Sequence, residues 1–294
     1  MRKVILGDLS VDKVFESEGS MPMSMSLPQV TVEDLAALKH WYWDETLADD
    51  PTTAMFTLST HSYLLCLDGK KILVDTCNGN HKTRSVPLAH NLDTRYLENL
   101  AALGVTPEEI DFVMCTHMHA DHVGWNTRLI DGRWVPTFPN ACYVMGRTDY
   151  AFFSEQTEEA FHREAYEDSV LPVVKAGQAR IVDEDSVIVG QAGAGLWMEP
   201  AFGHSAGSCL LHARKGGPQA VFTGDIFHHP VQLVRPDYPF FFDHDGPTAV
   251  AVRKMVLERY ADTDTVIFPA HFRKTSAGWV KRNGGAFRYE FTEG

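Results

Sequence analysis

The chain has 294 residues, 44% of them hydrophobic, and a mean hydropathy of −0.19, which is enough for a substantial core without disulfide bonds or a structural metal. Its formal net charge of −13 argues against nucleic acid and anionic membranes as partners, because both are bound through basic surfaces. No run of about 18 apolar residues could span a bilayer, and the apolar run at the start is too short for a secretory signal, so we expect a cytoplasmic protein.

The cysteines are odd in number and show no C-x-x-C spacing, which predicts that the chain has no disulfide framework. Several of them lie in strand-like apolar runs, where a cysteine packs as a small buried residue. The five are Cys66, Cys77, Cys115, Cys142 and Cys209.

The N-terminal part contains two short predicted strands, a methionine-rich segment and a helix. The strands are predicted over residues 3–6 and 11–15. Residues 21–28 hold three methionines and two prolines, which predicts a loop without regular structure. This loop either packs on its own domain or forms a flexible apolar lip on a pocket or a dimer surface. A helix is predicted over residues 32–47, and Thr31 is suited to cap its first turn.

Two apolar runs, residues 54–65 and 70–75, are joined at Asp68-Gly69, a dipeptide that strongly favours a hairpin turn. The second run ends in Asp75, after which the chain enters a loop that contains a glycine. On its position alone, Asp75 is a turn residue at the end of a strand.

The stretch from Cys115 to Gly124 carries three histidines and an aspartate within six residues, and it directly follows an apolar run that predicts a buried strand. Imidazole nitrogens and carboxylate oxygens are ligands of divalent metals such as zinc. On an extended segment His117 and His119 point the same way, whereas the adjacent Asp121 and His122 diverge. The simplest geometry has two metals, one faced by the first pair and one by the second. The alternative is a histidine-rich loop whose side chains bind no metal.

Further candidate ligands follow where later predicted strands end. A glycine-histidine turn places His204 between two strands, Asp225 ends the next strand, and His271 follows the last one. A carboxylate held at the end of a strand by a glycine, as Asp225 is, can bridge two cations. His228 and His229 lie just beyond Asp225. Each either contacts the substrate, or contacts a metal ligand without binding the metal itself, or is an ordinary loop histidine.

Two longer helical patterns flank these residues. Residues 147–172 hold five aromatic side chains, which either roof the site or face the core. Residues 246–260 predict a helix that precedes the last strand before His271.

The motif from His117 to His122 resembles the signature of the metallo-β-lactamase superfamily at every ligand position, and the later residues follow the order of its further motifs. The resemblance covers most of the chain. It implies that His204 completes the first metal site, that His271 completes the second, and that Asp225 bridges the two. It also implies two divalent metal ions, with zinc first and iron, manganese or cobalt as alternatives.

The same resemblance implies an α/β fold, a four-layer αββα sandwich in which two mixed β-sheets are flanked by helices. It places Asp75 beneath the metal site, where it would orient a histidine ligand, as carboxylates behind metal ligands do. We expect a single domain over residues 1–294 with an N-terminal extension of about residues 1–50, and a homodimer.

The mechanism implied is metal-assisted hydrolysis. Two cations about 3.5–4 Å apart lower the pKa of a bridging water towards neutrality, and the resulting hydroxide attacks a carbonyl or phosphoryl centre. Asp121 and Asp225 are the expected catalytic carboxylates, and Asp121 is placed to take part in proton transfer.

Within the superfamily the chain resembles the branch of N-acyl-homoserine lactonases and methyl parathion hydrolase-like enzymes. True metallo-β-lactamases lack the bridging aspartate, so Asp225 argues against antibiotic hydrolysis. We therefore expect an EC 3.1 hydrolase of a small apolar lactone or ester, with acyl-homoserine lactones (quorum quenching) among the candidates. Two alternatives stay open: a phosphotriester hydrolase of the same branch, and an iron-dependent, oxygen-using metalloprotein on the same fold.

Overall fold

The structure is a computed structural model that describes residues 2–155 and 158–293. In chain order its strands are β1 Val4–Leu6, β2 Leu9–Pro22, β3 Met55–Leu67, β4 Lys70–Val74, β5 Phe112–Met114, β6 Thr127–Ile130, β7 Arg133–Pro136, β8 Cys142–Gly146, β9 Ala179–Val182, β10 Val187–Gln191, β11 Ala194–Pro200, β12 Cys209–Arg214, β13 Ala220–Gly224, β14 Val266–Pro269, β15 Gly278–Asn283 and β16 Ala286–Phe291.

The α-helices are α1 Met23–Ser26, α2 Val32–Lys39, α3 Tyr96–Ala102, α4 Ala120–Val123, α5 Arg147–Glu155, α6 Ala160–Ala165, α7 Leu171–Lys175, α8 Val231–Val234 and α9 Gly246–Tyr260. Single 3₁₀ turns occur at Pro87–Ala89, Pro107–Glu109 and Gly124–Asn126, and Tyr166–Val170 forms a π turn. Among the described residues no helix has the length and hydrophobicity needed to cross a membrane.

The strands form two seven-stranded sheets and a small ribbon. The first sheet has the order β1-β2-β3-β4-β5-β8-β9, the second runs from β10 to β16 in sequence order, and β6 pairs with β7 apart from both. In the first sheet β4, β5, β8 and β9 are parallel, and in the second β13 and β14 are parallel. Both sheets are therefore mixed, as predicted.

The two sheets pack face to face, with helices on their outer faces. The central cluster joins Val11, Leu65 and Met114 of the first sheet to Leu211, Phe222 and Phe268 of the second. Outside the first sheet, Leu100 of α3 and Phe153 of α5 belong to a second buried cluster with β5 and β8. Outside the second sheet, Val256 and Leu257 of α9 pack on β13 and β14. This is the predicted four-layer αββα sandwich.

The predicted hairpin between β3 and β4 is confirmed. Asp68 and Gly69 have φ values of 53° and 73°, the left-handed conformation that a tight two-residue hairpin turn requires at both positions. The parallel strand β5 is short and mostly buried, as expected for a strand covered on both faces.

The helix predicted over residues 32–47 is shorter in the structure, because α2 ends at Lys39. Beyond it, the Asp44 carboxylate accepts hydrogen bonds from the Tyr42 hydroxyl at 2.7 Å and from the Thr46 backbone N–H at 2.9 Å. Such local bonds offer the backbone an alternative to the helix and end it.

The helix predicted over residues 147–172 is divided into α5, α6, the π turn and α7, with positions 156 and 157 outside the described residues. Pro172 has no N–H for the carbonyl of Asp168, four residues earlier. That carbonyl instead accepts hydrogen bonds from the Thr127 hydroxyl and, at 3.4 Å, from the Lys82 ammonium. The π turn is the local widening that follows.

The methionine-rich segment is more regular than predicted. β2 continues to Pro22, and residues 23–26 form the single turn α1. Met23 and Leu27 are buried, so the segment packs on its own protein. Met21, in β2, also lines a pocket described below, so of the lip alternative only the position beside a pocket holds, and only for Met21.

Candidate metal centre

The predicted ligands lie in loops at one edge of the sandwich. The chain leaves β5 at Met114 and reaches α4, whose first turn carries Asp121 and His122 and whose N-cap is His119. Asp225 follows β13, His271 follows β14, and His204 lies between β11 and β12. Both sheets thus contribute side chains to the same place.

The first group contains three buried histidines. His119 Nδ1 lies 3.0 Å from His117 Nε2 and 3.0 Å from His204 Nε2. Three ring nitrogens that converge in this way can be ligands of a single cation.

The second group contains Asp121, His122 and His271. Asp121 Oδ2 is 3.7 Å from His122 Nε2 and 3.5 Å from His271 Nε2. Asp121 is partly exposed, whereas the two histidines are buried.

The Asp225 carboxylate lies between the two groups. Its Oδ2 is 3.2 Å from His204 Nε2, in the first group, and its Oδ1 is 3.0 Å from His122 Nε2, in the second. Both oxygens are 3.1 Å from His271 Nε2. The structure therefore brings all seven predicted ligands together, with Asp225 in the position of a bridge.

Burial and charge prepare the cluster for a cation. Burial alone would raise the pKa of Asp225, but the imidazoles of His122, His271 and His204 hold the pKa of this carboxyl well below its usual range. Burial lowers the pKa of His117 and of His119 well below the usual value, and neighbouring imidazoles add to the effect. An ionised carboxylate beside uncharged imidazoles is the state that metal ligation needs.

Three other histidines of the cluster behave differently, because nearby carboxylates raise the pKa of His122, of His271 and of His204 despite their burial. His204 is the example. Burial opposes its protonation, yet the carboxylates of Asp225 and Asp243 raise its pKa to about 9. Without a cation, a proton on this ring offsets part of the negative charge, and cation binding would displace it.

Polar groups behind the cluster hold three histidines by the ring nitrogen that faces away from it. Asp75 Oδ2 is 2.9 Å from His122 Nδ1, and the same carboxylate accepts hydrogen bonds from Thr116. Asp243 Oδ1 is 3.0 Å from His204 Nδ1. The backbone carbonyl of Ser59 is 3.1 Å from His271 Nδ1. Such partners fix the tautomer and orientation of a ligating imidazole.

Two other buried carboxylates hold the loops that carry the ligands. Asp149 accepts hydrogen bonds from the backbone N–H of Met118 at 2.7 Å and of Gly207 at 2.8 Å, which ties the first motif to the loop of His204. Glu16 accepts from the backbone of Asn78 and from the Trp125 indole, and burial raises the pKa of its carboxyl. Sequence reasoning missed Asp243, Asp149 and Glu16, since no local motif distinguishes them.

A family model described as the metallo-beta-lactamase superfamily matches residues 55–271, which is more than half of the chain and includes every candidate ligand. The chain belongs to the metallo-beta-lactamase superfamily. The family and the His/Asp cluster together indicate divalent-metal binding.

Similar proteins support this assignment. A Bacillus sp. "N-acyl homoserine lactonase" is 25% identical over 237 residues, which cover 74% of this chain and 82% of the relative. The crystal structure of "hydrolase AbOPH in beta lactamase superfamily" has a TM-score of 0.81 at 21% identity, over 99% of this chain and 97% of that one. "AidC, a Dizinc Quorum-Quenching Lactonase" has a TM-score of 0.76 at 21% identity, over the same shares. At these identities the two structures establish the fold.

The residues of this superfamily member fit the metals that its fold implies. Five imidazoles and two carboxylates form a donor set that suits zinc, iron, manganese or cobalt. Two buried atoms of the cluster, His122 Nε2 and Asp225 Oδ1, have no properly oriented hydrogen-bond partner among the described residues, although they lie 3.0 Å apart. Buried polar atoms are rarely left in this state unless a ligand completes them.

A pocket of about 990 Å³, which includes open solvent at its mouth, leads from the surface to the cluster. Phe161 of α6 lies over it, with its ring centroid 5.3 Å from that of His119, while Phe153 of α5 is buried in the core. The aromatic helical region thus both roofs the site and fills the core. The apolar side chains of the pocket include Met21, Leu58, Val86, Leu88, Phe161, Phe240 and Phe242.

The two histidines after Asp225 have different surroundings. His228 lines the pocket, and its Nε2 is 3.1 Å from Asp225 Oδ2. His229 packs against the rings of Tyr42 and Phe56 and accepts a hydrogen bond from the backbone N–H of Val231. Of the two, only His228 is among the residues that line the pocket.

Proposed function

We propose that this protein is a dinuclear metal-dependent hydrolase that opens lactones or cleaves esters, with N-acyl-homoserine lactones as the first candidates. The observation that carries the proposal is the position of Asp225, between one group of three ligands and another. A mononuclear site would not need a shared carboxylate.

In this proposal His117, His119 and His204 hold one cation, Asp121, His122 and His271 hold the other, and Asp225 contacts both. Zinc is the first candidate, with iron, manganese or cobalt as alternatives. When bound, two such cations lower the pKa of water and polarise the oxygen of a carbonyl group.

The protein's own residues supply the remaining chemistry. Asp121 is the candidate for proton transfer, because its side chain is 29% exposed towards the pocket, more than that of Asp225. Its Oδ2 faces the two histidines of its group, which leaves Oδ1 to accept a proton from the attacking water and pass it to the leaving oxygen.

The pocket supports an apolar acyl substrate. Its walls are largely aliphatic and aromatic, and its charged side chains outside the candidate metal centre are already paired, Arg84 with Asp168 and Glu18 with Arg273. An acyl chain would gain from burial there, whereas an anionic group would find no free cationic partner among these pairs. Two of the similar proteins are named as lactonases, which agrees with this substrate class.

A panel of lactones tests the proposal, with a long-chain acyl-homoserine lactone, a simple γ-lactone, an aryl ester and an aryl phosphotriester. The metal-loaded protein is compared with Asp225→Ala, and the metal content of both is measured. We expect lactone turnover by the wild type and a loss of about 100-fold or more in the variant. If only the phosphotriester is hydrolysed, the substrate class is phosphotriesters rather than lactones or esters. If none of the four is hydrolysed, the proposal is wrong.

A further inference from the structure

Asn78 is a pocket residue that the proposed mechanism does not use. It lies in the loop after β4, and it lines the pocket together with Ala120 and Asp121 of the first motif. The two segments are in close contact, because the backbone N–H of Gly124 donates to the Cys77 carbonyl at 2.7 Å. Asn78 therefore lies beside the candidate metal centre.

Glu16 fixes the position of the Asn78 side chain. Its Oε2 accepts hydrogen bonds from the Asn78 backbone N–H at 2.9 Å and from Asn78 Nδ2 at 3.0 Å. Its Oε1 accepts from the backbone N–H of Gly79 at 3.1 Å and from the Trp125 indole N–H at 2.6 Å. Glu16 and Asn78 are each 5% exposed, so the pair has little freedom to rearrange.

These hydrogen bonds determine which end of the Asn78 amide is available to a ligand. Backbone and indole nitrogens only donate, so Glu16 is an acceptor at both oxygens, and the Asn78 atom beside it must be the amide nitrogen. Asn78 Oδ1 receives no hydrogen bond from any described residue, and it is not among the polar atoms that these residues enclose without a partner. It is therefore an acceptor that is open to the pocket.

The donor for this oxygen has to come from whatever occupies the pocket. Arg84, a cation of the pocket wall, directs its two terminal nitrogens to the Asp168 carboxylate, at 2.6 and 2.9 Å. Much of the remaining wall is apolar, Leu58 and Leu92 included. An apolar occupant would remove water from Asn78 Oδ1 without replacing the lost hydrogen bond, whereas an occupant with an N–H or O–H would replace it.

We propose that Asn78 Oδ1 accepts a hydrogen bond from the N–H of an acylamino group on the carbon next to the reacting carbonyl, so that the protein selects α-acylamino lactones over lactones without this group. This inference rests on the proposed function and narrows its substrate class. An acylamino group supplies the donor and also carries an acyl chain to the apolar wall, whereas a hydroxyl group supplies only the donor. Asn78 takes no part in bond breaking in this role, and it discriminates between substrates.

Two other roles make different predictions. Asn78 could only hold its loop on Glu16, in which case its loss would affect all substrates equally. Alternatively, the pocket could bind the amide through another acceptor such as Thr60, which also lines it. In that case the loss of Asn78 would leave the preference for the amide intact.

The experiment compares two substrates that differ in one group. One is α-(hexanoylamino)-γ-butyrolactone, and the other is its carba analogue, in which a CH2 group replaces the amide N–H. Both are assayed with the zinc-loaded wild type, with Asn78→Leu and with the smaller second variant Asn78→Ser. The rate of lactone opening gives kcat/KM, and the metal per chain and the Tm of each protein are also measured.

Asn80→Leu is the matched control. Asn80 lies in the same loop, its amide exchanges hydrogen bonds with the backbone of Thr94, and it is not among the described residues that line the pocket. A change in the loop alone should therefore appear in this variant as well.

We expect the wild type to prefer the amide over the carba analogue by about 10–100-fold in kcat/KM. Asn78→Leu and Asn78→Ser should each reduce this preference to about threefold or less, through a loss on the amide substrate, and Asn80→Leu should keep it. Because the readout is a ratio of two substrates, a loss of stability or metal that affects both does not alter the prediction.

The other results overturn the role. A wild type without a preference shows that Asn78 does not contact the amide, and this result needs no variant. If both Asn78 variants keep the preference, an equal loss on the two substrates makes Asn78 a structural residue of its loop, and no loss on either assigns the amide to another acceptor. If the wild type opens neither lactone, the proposed function itself is wrong, and the role of Asn78 is wrong with it.

Discussion

At the scale of residues, three of the candidate ligands are held from behind by a specific oxygen. Asp75 contacts His122, Asp243 contacts His204, and the Ser59 carbonyl contacts His271. In each case Nδ1 is engaged, so Nε2 is directed into the cluster. Orientation of these candidate ligands therefore depends on residues outside the two ligand groups.

The carboxylates behind the ligands are open to a direct test. Asp75→Asn and Asp243→Asn each replace the carboxyl partner of a histidine Nδ1 with an amide. We expect each to weaken zinc binding by about 10–100-fold, measured by competition with a chromogenic chelator. Asp49→Asn, at an exposed surface ion pair with Lys39, is the control and should bind zinc as the wild type does. Unchanged affinity in both core variants would show that the histidines are oriented by packing alone.

Lys82 gives a prediction about stability and pH. Its ammonium is fully buried, 3.2 Å from Asp168 Oδ1 and 3.8 Å from the centre of the Trp134 ring. Burial outweighs the attraction of Asp168 and lowers its pKa to about 7, below the 10.5 of a free lysine. Between these values the unfolded chain binds the extra proton, so this residue makes the free energy of unfolding increase with pH.

Lys82→Met removes this contribution. From about pH 7.5 to 10, the slope of the free energy of unfolding against pH should fall by up to about 1.4 kcal/mol per pH unit relative to the wild type. Urea titrations at several pH values measure it. Equal slopes in both proteins would mean that Lys82 keeps its proton throughout this range.

The candidate ligands could be predicted from the sequence because each lies in a short motif at the end of an apolar run. The residues that hold them could not. Glu16 contacts Trp125 across 109 positions of sequence, and Asp243 contacts His204 across 39. Such pairs are created by the packing of loops, and a single acidic residue in a loop carries no local mark of a distant partner.

At the scale of elements, apolar runs predicted most of the central strands, the Asp68-Gly69 dipeptide predicted the β3–β4 hairpin, and a helix was predicted over residues 246–260, where the structure has α9. The predicted extents of two long helices, residues 32–47 and 147–172, were wrong. Asp44 accepts hydrogen bonds from its own neighbours in the first, and Pro172 in the second leaves a carbonyl free for Thr127 and Lys82. The strands β6, β7, β11, β15 and β16 were not predicted. Several of their residues are exposed or polar, so their pattern is weak.

The turn after the first motif packs directly on the loop after β4. A Cβ on Gly124 would lie 1.9 Å from the backbone oxygen of Asn78, so Gly124→Ala must displace backbone. We expect a loss of about 1–3 kcal/mol in the free energy of unfolding, measured with urea, and weaker metal binding. Gly285→Ala is the control, because its Cβ would meet nothing within 4 Å, and its change should stay within about 0.5 kcal/mol. Equal stabilities of the two variants would contradict the close packing of these loops.

At the scale of the whole molecule, the site exists only where the two sheets meet. His117, His119, Asp121 and His122 come from the first sheet's loops, and Asp225 and His271 follow strands of the second. A metal held by side chains from both sheets would therefore link the two halves of the sandwich. The layered fold was predicted through the resemblance to a family, since the order of strands in each sheet depends on long-range pairing that one sequence does not reveal.

Metal removal should consequently lower global stability. A ligand that binds only the folded state stabilises it by about 4.1 kcal/mol at a thousandfold excess over its Kd. We expect the Tm to fall on dialysis against a chelator and to rise with added zinc, in differential scanning calorimetry. Asp225→Ala should show a smaller response, because it removes the shared carboxylate. A Tm independent of zinc would contradict a metal site that joins the sheets.

The most direct test of the account is anomalous X-ray diffraction from crystals of the zinc-loaded protein, recorded on both sides of the zinc edge. Two peaks are predicted, one among His117, His119 and His204 and one among Asp121, His122 and His271, with the Asp225 carboxylate between them. A single peak would contradict the dinuclear site on which the proposed hydrolysis depends, and a peak ligated by His228 would contradict the proposed ligand groups.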